Sequence, residues 1–377
     1  MKTKLALLLV LIFVVAVSPV AAADKPTVTL WSTGSQNVSD LFNNLIEAYN
    51  ARPESTSVVK LQFILSGTGE DTLSSRIAAA YKTGKTNSGF DIIAENSTSL
   101  QQYIDEAGST DLFRDLDFSK IPNYQNLLIK PSIYESKFVP YRGTTVVMAY
   151  DSARLPNPPK TWDELEAYVQ ANPGKFAYNS PSTGGAGSGF VRTAIYKFLP
   201  EESYMSNDPK WAEQYDEGFA LLKRIHPYLY KSGGKVVYPN KNQGTLDLLI
   251  NKEVDLIPAW ADQTLSNLAN GTLPDTVKIY QLEDYPLGGT DVVMAVTSIG
   301  AEPEACYDFI NYVISPEGQK KCLELMYAVP VIDISTIQSD AAKMIEGLDV
   351  SSFKVFSIGS LGDVINQRWD REIATLP

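Results

Sequence analysis

Side chains able to do acid–base or nucleophilic chemistry are few in this sequence, and their placing is informative. His226 is the only histidine and stands beside Pro227 at the end of a helical pattern. A Ser-His-Asp triad or a histidine-based zinc site therefore has almost nothing to build on. Gly187-Ser188-Gly189 comes nearest to the Gly-x-Ser-x-Gly of a nucleophile elbow but lacks the preceding spacing. Asp and Glu can work without histidine, which leaves a hydrolase or lyase open as a rival reading. The residue types favour binding over catalysis. From Ser180 to Phe190 the chain reads SPSTGGAGSGF, with no Asp or Glu. Small residues there offer free backbone N–H groups at the mouth of a helix, a ready site for an anion. The stretch has no Gly-Lys-Ser/Thr and is not a nucleotide P-loop; its bland alternative is a permissive turn. Trp31 and Trp260 could stack on a ring, face a cation or simply pack. Arg142 suits either an anion or a structural ion pair. Asp262 suits either a cationic group or a helix N-cap.

The elements that must position these residues alternate. Thr27 to Leu30 reads as a strand ending at Trp31, Ser32-Thr33-Gly34-Ser35 as a loop, and Leu41 to Tyr49 as the apolar face of a helix. The unit recurs with a strand over 58–65, a loop Ser66-Gly67-Thr68-Gly69 and a helix over 71–81. It recurs again with a strand over 90–94, a loop Glu95-Asn96-Ser97-Thr98 and a helix over 100–107. Strands alternating with helices predict an α/β fold with mostly parallel sheets covered on both faces. Ligands of such sheets bind outside the carboxyl ends of the strands, where all three polar loops lie. FVPYRGTTVVMAYD (138–151) reads as extended chain leading out of the first region. Thr161-Trp162-Asp163-Glu164 is a capping box. A strand over 175–178, a helix from Asp208-Pro209 to about Ile225, a strand over 254–260 and a strand over 292–297 follow. Ala301 to Met326 is a helical hairpin with Ser315 as N-cap and Pro316 at the first helical position.

Length and composition set the frame. A chain of 377 residues with 44% hydrophobic side chains is too long for one ordinary core and predicts two domains. The formal charge of −12, with no basic run, argues against nucleic acid. No metal or cofactor motif stands out. Lys2 and Lys4, the apolar run Leu5–Val17 and the small residues Ala21-Ala22-Ala23 have the layout of a secretory signal peptide over 1–23, cleaved after Ala23. No cysteine near that site offers a lipid anchor, which favours release into a periplasm. Cys306 and Cys322 flank a turn between two helices. An oxidising compartment permits a disulfide stapling that hairpin, with two buried thiols as the alternative.

In order along the chain, TLWSTGS, FVPYRGTTVVMAYD, TWDEL, VDLIPAWAD and FINYVISPEGQKKCLELM resemble segments of the bacterial extracellular solute-binding proteins of ABC importers. The match is to their type II topology cluster, which has polyamine-, thiamine- and ferric-iron-binding members. The SPSTGGAGSGF loop is most similar to a YnjB-like branch of it. The resemblance spans nearly the whole mature chain.

It implies a type II periplasmic-binding-protein fold of two α/β lobes joined by hinge strands. Lobe one would hold 24–145, with about 290–335 returning to it, and lobe two 150–288; the lobe of the C-terminal helices over 336–377 is left open. It also implies a small-molecule ligand, an inner-membrane ABC permease as partner, a monomer, and no catalysis. A module presenting ligand to a chemoreceptor is the further alternative. The implied pocket draws on Trp31, Ser32 and Thr33; on Ser66, Gly67 and Thr68; on Asn96; on Tyr141 and Arg142; and on Ser182, Thr183, Gly184, Gly185, Trp260 and Asp262. Polyamine binders grip ammonium groups with carboxylates. The carboxylate-free loop departs from that pattern and shifts the expected cargo towards an anionic or zwitterionic solute.

Overall fold

The computed structural model describes residues 25–65, 71–131, 133–301, 303–345, 348–349 and 352–377. The expected signal peptide lies outside the described residues. Among them, no helix is long and apolar enough to cross a membrane.

The first half is the strand–loop–helix repeat that the sequence predicts: β1 (Thr27–Gly34), α1 (Gln36–Ala51), β2 (Val58–Leu65), α2 (Asp71–Lys82), β3 (Ile92–Asn96) and α3 (Ser97–Ala107). In α1 the residues Val38, Leu41, Phe42, Leu45, Ile46 and Tyr49 fall on one stripe and are buried, as a helix laid on a sheet requires. The long strand β4 (Phe138–Asp151) leads to α4 (Trp162–Ala171), α5 (Gly185–Tyr196) and α6 (Asp216–Ile225). A small hairpin of β5 (Lys231–Ser232) and β6 (Lys235–Val236) precedes α7 (Lys241–Ile250), β7 (Leu256–Trp260), α8 (Ala261–Ala269) and β8 (Val277–Tyr280). The chain then runs through β9 (Gly288–Val296), α9 (Pro303–Val313), α10 (Pro316–Met326), α11 (Ala342–Ile345), β10 (Lys354–Val355) and α12 (Leu361–Glu372). Half of the expected capping box at α4 is present: the Thr161 side chain accepts from the Glu164 N–H, but Glu164 accepts from the Lys160 N–H at 2.8 Å, one residue before the cap, and not from that of Thr161.

The main sheet runs in the order β2-β1-β3-β9-β4-β7. The pairs β1–β2 and β1–β3 are parallel. β9 is antiparallel to both β3 and β4. In the second half, β4 pairs antiparallel with β7 and β8, and parallel pairing survives in the Phe176–Leu256 bridge. The strand expected over 175–178 is reduced to that bridge. The helix expected from Asp208 opens instead as a 3-10 turn, Pro209–Gln214, before α6.

The apolar side chains separate into distinct cores. Leu30, Phe42, Tyr49, Tyr141 and Phe309 belong to one; Trp162, Phe176, Phe190, Phe219 and Trp369 belong to another. β4 spans them, with Val139 and Tyr141 in the first and Val146 and Met148 in the second. β9 spans them as well, from Leu287 just before it to Val292 and Met294. The C-terminal segment crosses a third time. Ile345 and Leu348 pack in the first core, whereas Phe356, Leu361, Ile365, Trp369 and Ile373 pack in the second. On the way β10 lies beside β9, Lys354 opposite Gly288 and Val355 opposite Gly289. The division is not clean, because Ala261 and Leu265 of α8 reach into the first core.

Of the two states open to Cys306 and Cys322, a disulfide or two buried thiols, the structure has the second. They face different parts of the first core. Cys306 lies near the charges of Asp91 and Arg114, and Cys322 near that of Arg142. His226 is buried in the second half, with its Nδ1 2.7 Å from the Tyr238 hydroxyl.

Candidate functional site

The residues that shape the site begin at an irregularity in β4. Pro140 pairs with Val293 and Arg142 with Val292, so Tyr141 is an extra residue, a β-bulge. The bulge frees the Tyr141 carbonyl, and Gln319 takes it up. The Gln319 Nε2 donates to Tyr141 O at 2.8 Å and to Val313 O at 3.0 Å, while its Oε1 accepts from the Val331 N–H at 2.9 Å. Gln319 is fully buried. The Ser-Pro-Glu-Gly-Gln run therefore does more than start α10, since its last residue fixes the strand that presents Arg142.

Tyr141 and Arg142 open into a cleft of about 1080 Å³ lined from both cores. Arg142 is 8% exposed and Asp262 9% exposed. Their closest approach, Nη1 to Oδ2, is 3.9 Å, too long for a hydrogen bond. Among the described residues, Arg142 Nε, the Tyr141 hydroxyl, Thr144 Oγ1 and Ser266 Oγ make no hydrogen bond of normal geometry. Burial pushes the Asp262 carboxyl above the usual carboxylate value, against the pull of Arg142 and of the Gln263 N–H that it accepts. Burial works against the Arg142 charge, but the nearby Tyr141 oxygen and the Asp262 carboxylate offset it, the first as a dipole and the second as a charge, so the guanidinium pKa is raised. The Tyr141 phenol is pushed up by burial to about 12 and stays neutral.

Helix starts surround this couple. The first turns of α1, α3, α5, α7 and α8 all contribute lining residues: Gln36 and Asn37, Asn96 and Ser99, Gly184 and Gly185, Asn242 and Gln243, Asp262 and Gln263. α1, α3, α5 and α7 have no acidic residue in the first turn, although the chain has 44 Asp and Glu. Only α8 carries one there, Asp262. Each helix start bears about half a positive charge, so the cleft has a positive rim with one carboxylate placed beside Arg142. Glu95 also lines the cleft, its carboxylate accepting from the Thr33 N–H at 2.8 Å.

The glycines of the SPSTGGAGSGF loop answer to packing. A Cβ on Gly185 would lie 2.7 Å from the Trp260 ring, and one on Gly187 would lie 2.0 Å from the Asn179 carbonyl oxygen. The loop is braced to the start of α7, with the Ala186 N–H donating to Asn242 Oδ1 at 3.0 Å and the Lys241 N–H to Thr183 Oγ1 at 3.0 Å. The expectation of wholly free N–H groups therefore fails at Ala186.

A family model described as bacterial extracellular solute-binding protein matches residues 44–344. The chain belongs to that family. It is a solute-binding protein, which displaces the hydrolase or lyase reading. No curated protein sequence matches it significantly. Among solved structures, a putative extracellular solute-binding protein from Bordetella parapertussis is similar at 16% identity and a TM-score of 0.71, covering 92% of this chain and 98% of its own. An ABC transporter from Clostridium perfringens is similar at 18% identity and a TM-score of 0.65, covering 91% and 99%. A periplasmic thiamin binding protein is similar at 16% identity and a TM-score of 0.64, covering 93% and 96%. At these identities the likeness is one of fold, and it is the two-lobed α/β fold.

In this solute-binding protein the cleft gathers Ser32, Thr33, Asn96, Tyr141, Arg142, Ser182, Thr183, Gly184, Gly185, Trp260 and Asp262 from the expected set. Ser66, Gly67 and Thr68 lie outside the described residues. Trp31 is not in the cleft. Strand alternation turns it to the face opposite Leu30 and Ser32, where its indole N–H donates to the Gly89 carbonyl at 2.7 Å. Its ring packs on Phe90 with the Arg76 guanidinium above it. Asn96 has a second role as the N-cap of α3, accepting from the Ser99 N–H at 2.7 Å. Sequence reasoning missed Glu95, Thr144, Asn242 and Ser266. The polar run Asn240-Lys241-Asn242-Gln243-Gly244 was the available signal for one of them, but it follows a hairpin and not a strand of the main sheet.

Proposed function

We propose that this protein captures a small solute bearing an anionic group in the cleft around Arg142 and delivers it, as a periplasmic monomer released by cleavage after Ala23, to the permease of an ABC importer. The observation that carries the reading is the convergence of four acid-free helix starts on a cleft floored by a buried arginine. Backbone N–H groups at helix starts recognise phosphate, sulfonate or carboxylate oxygens, and the buried guanidinium adds charge where water is excluded. Ligand favours closure only by touching both halves of the cleft at once. Ser32 and Thr33 stand on one side, and Gly184, Gly185 and Asn242 on the other.

Thermal unfolding in the presence of phosphonates, sulfonates, carboxylates, thiamin phosphates and polyamines tests this. A ligand at about 100 times its Kd stabilises by about 2.7 kcal/mol. Stabilisation by compounds with an anionic group is the expected result. Stabilisation by polyamines alone would sink the anionic reading.

A further inference from the structure

The Arg142–Asp262 couple is poorly built as a structural brace. Two charges taken out of water regain their solvation only when the geometry is close and the remaining donors are satisfied. Here the groups stand 3.9 Å apart, and among the described residues Arg142 Nε, the Tyr141 hydroxyl, Thr144 Oγ1 and Ser266 Oγ make no hydrogen bond of normal geometry, although Tyr141 acts on Arg142 and Thr144 on Asp262 at longer range. Arg142 and Asp262 are each more than nine-tenths buried and line the same cleft. Unmet donors around a loose ion pair are groups held for a ligand.

We infer that the Arg142–Asp262 couple selects a compact zwitterion, with the ligand's anionic oxygens on Arg142 and its ammonium nitrogen on Asp262. This rests on the solute-capture reading above and narrows its cargo. A plain anion seated on Arg142 meets the Asp262 carboxylate across the couple. A plain cation meets Arg142 and the positive ends of α1, α3, α5 and α7. Only a ligand carrying both charges compensates both groups, by lying antiparallel to them. With charge-assisted hydrogen bonds of about 2.8 Å to each group, that arrangement suits a linker of about one to three carbons between the ligand's charges. The Trp260 indole packs close to Gly185 and lines the same cleft, an aromatic surface able to face an ammonium group.

Calorimetric titration of the purified protein decides the matter. The probes are β-alanine, taurine and 2-aminoethylphosphonate, each beside its half-ligands: propionate, ethanesulfonate or ethylphosphonate for the acid, ethylamine for the base. At least one zwitterion is expected to bind about tenfold or more tightly than either half, since each half leaves one buried charge uncompensated. Asp262→Asn should lose that zwitterion and gain the matching anion; Arg142→Gln should lose both. If either single variant fails to fold, the double variant Arg142→Gln/Asp262→Asn, which leaves no lone buried charge, carries the test through loss of the zwitterion. An acid half that binds as tightly as its zwitterion, or an Asp262→Asn protein that keeps zwitterion affinity, overturns the assignment and leaves anion capture standing. Binding by none of the zwitterions, acids or amine overturns both.

Discussion

The Gln319 side chain donates to the carbonyl of Tyr141 at 2.8 Å, tying the start of α10 to the bulge in β4. That one amide links a hairpin in the first core to the residue preceding the buried Arg142. Replacing Gln319 with Leu strips partners from Tyr141 O, Val313 O and Val331 N inside the protein. The expected cost is about 3 kcal/mol or more, since each orphaned buried group costs about 1–3 kcal/mol. Chemical denaturation measures it. Ligand affinity should fall with it as the bulge relaxes, and a variant of unchanged stability would show that the bulge holds without Gln319.

Two glycines of one loop should behave differently. Gly187→Ala puts a Cβ 2.0 Å from a backbone carbonyl oxygen that cannot step aside, so folding itself should suffer. Gly185→Ala meets the edge of the Trp260 ring, which can turn. Its stability should drop by about 1–2 kcal/mol, while ligand affinity falls and tryptophan emission shifts. Far-ultraviolet circular dichroism, emission spectra and titration separate the outcomes.

Neither thiol should react in the native state. Burial pushes the Cys322 thiol up to about 12 and raises that of Cys306 as well, so the thiolate needed for attack is scarce. A thiol reagent should register nothing in buffer, and both of the chain's 2 cysteines in denaturant without reductant. No reaction in denaturant would mean that the hairpin is bridged after all.

The single histidine offers a clean acid probe. Burial lowers the His226 pKa below its ordinary value of 6.5, so the unfolded chain binds this proton more readily than the folded one. The stability contributed by neutral His226 is complete above 6.5 and is lost as pH falls from there through the lower folded value. Unfolding temperature should decline across that window. His226→Gln should flatten the decline there, leaving only the carboxylate-driven loss at lower pH.

Zwitterion binding should have its own acid limit. The Asp262 pKa is raised by burial, so its charge disappears at a higher pH than that of an ordinary aspartate. Affinity should fall as pH drops through that raised value. Asp262→Asn takes the matching anion in place of the zwitterion, and titrations with that anion across the acid range should show no such step.

The repeat of strand, polar loop and helix was legible because period and turn chemistry agree locally, and it led to Ser32, Thr33 and Asn96 at the cleft. Trp260 and Asp262 were reached the same way, at the end of β7, and Arg142 from the crossover segment that became β4. Trp31 was misplaced because a strand's end residue can face either side of the sheet, and only the neighbours Gly89 and Phe90 decide which. The bulge at Tyr141 and its Gln319 support join residues far apart in the chain, and no local pattern announces such a contact. The absence of acids from four first turns was visible throughout. Its meaning needed the knowledge that those four helices point at one place.

The three crossings between the cores run side by side. At Gly289 of β9, Thr145 of β4 lies on one flank and Val355 of β10 on the other. A single strand between two bodies would let them swivel as well as fold. Three strands stitched edge to edge make a ribbon, which is stiff to torsion and to sliding in its own plane, and compliant only to flexing out of it. The two halves are thereby left one soft coordinate, so whatever the cargo, its arrival can be reported to a partner as a position along a single line.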